Sequence, residues 1–296
     1  MHTALRGHNI KSQSAMEYLM TYGWAILAVA VVLGVLFQLG VFGGVGTPRA
    51  QPGNCQVVKV GTGLTQTISL AGECQGQQPL YVAQFNNPTS YISLPTPLSG
   101  FNGNTMSFTL SLWIDPTTAA SVVMVNEQGT TPPSVNSGIP LLFTNGAGAL
   151  NAFTYHCIGA GTVKANTWTN VAITYTSGGT LFYVNGVLYG TDSGARSSGL
   201  GQYLSLGAGA TSTVCSAANA VVGYYANYQI YNTSLSGTEI QALYMEGIGG
   251  APVRPQNITV WWPLNGNEND YSSNNNNGQP SGITFTSSWT SGYTAP

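Results

Sequence analysis

Charge is what this chain has least of. Asp, Glu, Lys and Arg together make up 5% of its 296 residues, against roughly a quarter in an ordinary soluble protein. Seven Lys and Arg stand against nine Asp and Glu. Nothing here resembles the clustered cations that phosphate contacts need, so nucleic acid is excluded as a partner. Histidine is scarce too: there are three, two of them within the first eight residues, which leaves a histidine-based metal site short of ligands. The four cysteines, Cys55, Cys74, Cys157 and Cys215, include no CxxC pair. With so little charge, the polar surface has to come from Ser, Thr, Asn, Gln and the 38 Gly. Such a neutral, hydroxyl-rich composition suits an extracellular β-protein, in which strands favour Thr, Val and Tyr and turns favour Gly and Asn.

One long segment carries no charge at all, from Tyr18 to Thr47. Its core, TYGWAILAVAVVLGVLFQLGVF, is long enough to cross a bilayer, which takes about 20 apolar residues at about 1.5 Å rise each. A secretory signal peptide has a shorter apolar region and a small-residue cleavage site after it. Arg6 and Lys11 precede the run, so the positive-inside rule places the N-terminus in the cytoplasm and the remainder outside. Tyr18, Tyr22 and Trp24 fall at the cytoplasmic end, where interfacial aromatics belong. Gly34, Gly40, Gly43 and Gly44 let neighbouring helices approach closely. The stretch GGVGTPRAQPG, residues 43–53, then ends the helix.

The remainder reads as β. NCQVVKV and QTISLAGEC suggest a hairpin closed by Cys55 and Cys74. Short alternating segments follow, separated by Gly, Asn and Pro, and this spacing indicates a sandwich or jelly roll. Asn185-Gly186 marks a type I′ hairpin turn. SLSGTEIQALYME is the one helical stretch, with Ser236 and Glu239 spaced as a capping box. In an exported chain four cysteines imply two disulfides. Three connectivities are open; Cys55–Cys74 with Cys157–Cys215 is preferred, because each pair falls within one segment.

Two resemblances cover most of the chain. The run Lys11-Ser12-Gln13-Ser14-Ala15-Met16-Glu17-Tyr18-Leu19-Met20-Thr21-Tyr22-Gly23-Trp24-Ala25 resembles the class III leader junction of archaeal type IV pilin-like proteins. The resemblance implies that a prepilin peptidase cuts between Ser12 and Gln13. Ser12 departs slightly from the Gly or Ala usual there. Glu17 becomes the fifth residue of the mature chain, where the family's glutamate pairs with the α-amino group of a neighbouring subunit, here that of Gln13. A carboxylate at the edge of an apolar helix is costly in lipid without a partner. Cleavage removes two of the seven basic residues and leaves five.

The second resemblance, about Pro79 to Ala251, is to the laminin-G-like, concanavalin A-like jelly roll. It rests on YVAQFNNPTSYISLP, MSFTLSLWI, NTWTNVAITYTSGGTLFYVNGVLYG, LSLGA and YANYQIYNTSLSGTEIQALY. It implies that Trp168 lies in the core. WWPLNGNENDYSSNNNNG resembles the start of the same domain but comes at the end of this chain. Circular permutation is preferred to a truncated second repeat, since about 30 trailing residues cannot build another sandwich.

Family members often hold Ca²⁺ through acidic and carbonyl oxygens. Asp270 is the metal candidate, although the acidic pair implied for the closing strand appears here as Ala226 and Asn227. Glycan hydrolysis needs paired carboxylates on one face, whereas Glu73, Asp115, Glu127 and Asp192 are scattered and His156 has no nucleophile beside it. No enzyme is expected. Tyr224, Tyr225, Tyr228 and Trp289 are candidates for stacking on sugars. Asn232-Thr233-Ser234 and Asn257-Ile258-Thr259 are glycosylation sequons.

The expected organisation is a leader at 1–12, an apolar transmembrane or filament-core helix at 13–46, a linker and disulfide-closed hairpin at 47–78, and an all-β concanavalin A-like jelly-roll head at 79–296, with 255–296 completing it. The expected function is a structural subunit of an archaeal surface filament. It inserts in the membrane as a precursor, then polymerises with copies of itself and displays a head for adhesion or glycan binding. The alternative is a membrane-anchored, non-polymerising surface protein that binds carbohydrate. No cofactor is expected beyond a possible Ca²⁺.

Overall fold

The computed structural model describes residues 20, 22–33, 55–60, 65–70, 78–98, 107–118, 122–128, 139–144, 148–152, 161–176, 178–193, 203–207, 219–220 and 222–296. The chain divides into two compact units, Met1–Arg49 and Ala50–Pro296.

In the first unit, residues 22–33 form helix α1. Its sequence is YGWAILAVAVVL, and every one of these residues is exposed. Trp24 exposes 72% of its surface and Ile26 68%. An α-helix that is apolar on all sides has no face suited to water. Among the described residues no helix is long and apolar enough to cross a membrane; the rest of the expected span at 13–46, apart from Met20, lies outside the described residues. Ser12, Gln13 and Glu17 lie outside them as well.

The second unit opens with a two-stranded antiparallel ribbon, β1 (Cys55–Val60) and β2 (Thr65–Leu70), in which Cys55 faces Leu70. Cys74, Cys157 and Cys215 lie outside the described residues.

Among the described residues, fifteen further strands build two sheets. They are β3 (Val82–Phe85), β4 (Tyr91–Ser93), β5 (Phe108–Pro116), β6 (Val122–Gln128), β7 (Ile139–Thr144), β8 (Leu150–Ala152), β9 (Thr169–Thr176), β10 (Gly179–Val184), β11 (Val187–Asp192), β12 (Tyr203–Gly207), β13 (Asn219–Ala220), β14 (Gly223–Tyr231), β15 (Ile258–Trp262), β16 (Gln279–Ser281) and β17 (Ile283–Thr286). The larger sheet runs β11-β10-β9-β5-β14-β3-β17, and β15 also pairs with β14. The smaller runs β16-β4-β12-β6-β7-β8, with β13 beside β6. The tail therefore enters both sheets: β15 and β17 join the larger and β16 the smaller.

Alternation along the strands makes the core. Phe108, Leu110, Leu112 and Ile114 of β5 meet Val171, Ile173 and Tyr175 of β9 in one cluster with Leu204, Leu206, Met124 and Leu142 of the smaller sheet. Full burial of such a side chain contributes roughly 1.5–3 kcal/mol. The intervening residues of β5 are buried as well, because the outer face of the larger sheet is covered. Helix α2 (Gly237–Met245) covers part of it, placing Ile240 and Leu243 against Ala172, Tyr183, Tyr231 and Trp261. Ser236 and Glu239 cap this helix reciprocally, as their spacing predicts. Glu239 also pairs with Arg254. The backbone N–H of Ser236, its hydroxyl and Arg254 together hold the Glu239 carboxyl below its ordinary pKa.

The register of β14 depends on one residue. Asn227 adopts φ 49°, a left-handed conformation that Asn tolerates better than most side chains. The pairing of β14 with β5 slips between Ala226 and Gln229, the mark of a β-bulge. Tyr225 and Tyr228, an odd number of positions apart, consequently both point into the core between the sheets. The slip also divides one edge of β14 between two partners, β3 at Gly223–Tyr225 and β15 at Tyr228–Tyr231. At the β10–β11 turn Asn185 and Gly186 have φ 50° and 74°, both positive as a type I′ turn requires.

Candidate functional site

The connection from Pro263 to Gly278 joins the two sheets, and its organiser is Asp270. This carboxylate is 5% exposed. Oδ1 accepts hydrogen bonds from the backbone N–H groups of Trp261 and Ser272, both at 2.9 Å. Oδ2 accepts the Ser272 hydroxyl at 2.7 Å and the Asn276 N–H at 2.7 Å. The Asp270 N–H in turn donates to Asn277 Oδ1 at 2.8 Å.

This arrangement closes a sheet edge. Among the described residues β15 pairs with β14 along one side only, and alternation turns the polar groups of Thr259 and Trp261 to the other side. There the carbonyl of Thr259 accepts the Ser272 hydroxyl at 3.0 Å and the side-chain amides of Asn274 and Asn276 at 3.0 and 2.9 Å. The Trp261 carbonyl accepts the Tyr271 N–H at 2.8 Å. The Asn-rich loop thus supplies the partners that another strand would otherwise provide. As for Ca²⁺, both oxygens of Asp270 are engaged by protein donors, and a cation would have to displace them. Among the described residues no three His, Cys, Asp or Glu side chains gather as a metal site.

The same connection borders an exposed aromatic ring. Tyr81 is 38% exposed beside Leu80, 53% exposed. Its N–H donates to Asn265 Oδ1 at 2.8 Å, and Gly266, at φ 87°, lies against the ring. A Cβ at Gly266 would sit 3.4 Å from Tyr81 Cδ2. Asn267 donates from its side chain to the Tyr271 hydroxyl at 3.4 Å and accepts from the Asn269 N–H at 3.0 Å. An exposed aromatic ring beside a polar loop is a surface on which a sugar ring can stack. Tyr81 and Asn265 are 184 positions apart, so no local motif announces this rim.

The aromatic residues that the sequence offers for stacking are placed otherwise. Tyr225 and Tyr228 are wholly buried between the sheets, Tyr225 against Phe85 and Tyr228 against Trp262; burial pushes both phenols well above their ordinary pKa. Trp289 is 2% exposed on the covered outer face, edge-on to Trp168. Its carbonyl accepts the Trp168 indole N–H at 2.9 Å. Only Tyr224 keeps part of its surface open, and it packs near Trp168.

Asn227, at one of the two positions where the resemblance implies an acidic pair, serves the outer face. Its Oδ1 accepts from Trp261 Nε1 and from Gln229 Nε2, both at 2.9 Å, while its Nδ2 donates to the Gly250 carbonyl at 2.8 Å. Tyr231 completes the chain by donating to Gln229 Oε1 at 2.5 Å. This network fastens the segment after α2 to the sheet.

The carboxylates considered for catalysis do not form a pair on one strand. Asp115 is on β5 and Asp192 ends β11, and both are buried. Glu127 is a β6 position, and Glu73 and His156 lie outside the described residues. Asp115 Oδ1 has no hydrogen-bond partner. Burial raises its pKa to about 6, and a backbone hydrogen bond from Thr167 opposes that rise. The two sequon asparagines, in contrast, meet: Asn257 Nδ2 donates to Asn232 Oδ1 at 3.0 Å.

A family model described as the concanavalin A-like lectin/glucanases superfamily matches residues 85–241, just over half of the chain. The chain belongs to this superfamily. Its jelly roll is also similar to solved structures. A protein from Bacteroides ovatus ATCC 8483, named as a candidate carbohydrate-binding protein, aligns over 75% of this chain at 15% identity and a TM-score of 0.50. That alignment spans 66% of its own length, just under two thirds. A heptameric pentraxin from Limulus polyphemus aligns over 69% of this chain and 94% of its own at 11% identity and a TM-score of 0.45. No curated protein matches. At these identities the likeness concerns the fold. The concanavalin A-like match ends within α2, and β15, β16 and β17 extend the domain beyond it.

Proposed function

We propose that the chain is a pilin-like subunit of a surface filament of archaeal type, whose concanavalin A-like head binds carbohydrate. The observation that carries the assembly half is α1. Every described residue from 22 to 33 is exposed and uncharged, so the isolated helix leaves a wholly apolar cylinder in water. Exposed apolar area of this kind costs roughly 25 cal/mol per Å². A bilayer relieves that cost for a precursor, and a bundle of identical helices relieves it in a filament. The leader-like junction at Ser12–Gln13, with Glu17 four residues on, favours the filament over a permanent anchor: cleavage there frees an α-amino group for the Glu17 of a neighbour.

The carbohydrate half rests on the rim formed by Tyr81 and the Asn265–Asn269 loop, on the superfamily, and on the candidate carbohydrate-binding role of the Bacteroides protein with a similar fold. Filaments sheared from cells, examined by electron microscopy and by N-terminal mass spectrometry, test the assembly. A mature terminus at Gln13 within filaments supports it. An intact leader on a monomeric membrane protein supports an anchored carbohydrate-binding protein instead.

A further inference from the structure

The sequons Asn232-Thr233-Ser234 and Asn257-Ile258-Thr259 are 25 residues apart in sequence, yet they form one spot on the surface. The Asn232 N–H donates to the Asn257 carbonyl at 3.0 Å, and Asn257 Nδ2 donates to Asn232 Oδ1 at 3.0 Å. Their surroundings differ. Asn232 is exposed, in the loop between β14 and α2. That loop is clamped from beneath by the buried Thr109 hydroxyl, which donates to the Thr233 carbonyl at 2.8 Å and accepts the Leu235 N–H at 2.8 Å. Asn257 instead ends a 3-10 turn that runs directly into β15. Its middle sequon residue, Ile258, is buried against α2, and the carbonyl of its Thr259 is held by three side chains of the Asn-rich loop.

We infer that the two sequons make a single attachment site, which takes one N-linked oligosaccharide on Asn232 and uses Asn257 as the amide that orients it. Asn257 donates to Asn232 Oδ1, which leaves the substituted atom, Asn232 Nδ2, out of that contact. A second glycan at Asn257 would start from the nitrogen that makes the contact. In the transfer step the bond between the sugar C1 and the phosphate oxygen of a lipid-linked oligosaccharide breaks. A bond from C1 to Asn232 Nδ2 forms. The amide loses one proton, and the lipid phosphate leaves. An oligosaccharyltransferase on the export side catalyses the step, so the inference rests on the head being exported.

Glycopeptide mass spectrometry of the full chain from its native host, with cell fractionation alongside, tests this. The expected result is one glycan per chain, on Asn232, with Asn257 bare. Ser234→Ala removes the sequon hydroxyl but keeps the Asn232–Asn257 pair, and the glycan is lost completely. Asn257→Gln leaves a glycan on Asn232. A surface-located chain with Asn232 bare, with both asparagines modified, or with the glycan on Asn257 alone overturns the inference while the surface role stands. A chain retained bare in the cytoplasm overturns both.

Discussion

The carboxylate of Asp270 holds the backbone N–H of Trp261 at 2.9 Å, and so blocks the edge of β15 that β14 leaves unpaired. Removing that carboxylate strands three backbone donors, those of Trp261, Ser272 and Asn276, while the Ser272 hydroxyl keeps the Thr259 carbonyl. Asp270→Ala is expected to destabilise the head by about 2–4 kcal/mol, the cost of leaving several buried donors unmade. Urea denaturation of the purified head in the wild-type and variant chains measures it. Because protein donors engage both oxygens, chelation by EDTA is expected to leave the wild-type Tm unchanged. A fall of several degrees on chelation would restore Asp270 as a cation ligand.

Asn227 is the second test of stability. Asn227→Ala leaves Trp261 Nε1 without its partner, leaves the Gly250 carbonyl only the longer bond from Gln229 Nε2 at 3.3 Å, and puts a residue that disfavours positive φ at the bulge. A loss of about 2–3 kcal/mol is expected. Trp261→Phe, which removes one donor and keeps the backbone, is expected to cost about half as much. An unchanged urea midpoint for Asn227→Ala would mean that neither the network nor the bulge conformation contributes.

Asp115 makes stability depend on pH. Its pKa is raised to about 6 in the fold, above the ordinary carboxylate value of roughly 4. A raised value means that the fold favours the protonated form. The associated stability is fully present below about pH 4 and is lost as pH rises through about 6. Asp115→Asn, which mimics the neutral form, is expected to stabilise the head at pH 7 by roughly 1–3 kcal/mol. Relative to wild type, that gain shrinks towards pH 4. Thermal melts of both chains at pH 4, 5, 6 and 7 separate this group from the other carboxylates, which the two proteins share.

Tyr81 separates binding from folding. Its ring is 38% exposed, so Tyr81→Ala is expected to change stability by less than about 1 kcal/mol. Loss of the stacking surface is expected to weaken glycan binding by roughly tenfold. A glycan array probed with the wild-type and variant heads, followed by calorimetry on the strongest hit, reads both quantities. Unchanged affinity would move the carbohydrate site away from this rim.

What could be read in advance followed the range of the interaction. The Asn185-Gly186 turn and the Ser236–Glu239 capping box depend on neighbours within a few residues, and both stand where their motifs placed them. The sandwich was legible too, because alternation along β5 and β9 is a local pattern with one global solution. Tyr225 and Tyr228 misled as stacking residues because their direction is set by the bulge at Asn227, whose φ no motif reports. The donors that engage Asp270 are not legible in its own neighbourhood, because they come from Trp261, on β15, and from the loop's own later fold-back. The Tyr81 rim was hidden for a similar reason, its two halves joining opposite ends of the head's sequence. The sequons were visible individually, but their contact depends on β15 lying beside β14.

In the proposed function, an apolar helix starting at Gln13 is the assembly device for a carbohydrate-binding head. Cryo-electron microscopy of surface filaments from the native host, with mass spectrometry of the same preparation, tests it most directly. The expected result is a filament whose core is a bundle of helices beginning at Gln13, each Glu17 beside the α-amino group of a neighbouring subunit, with jelly-roll heads outside. A chain that keeps Met1–Ser12 and is recovered only as a membrane-bound monomer would contradict it.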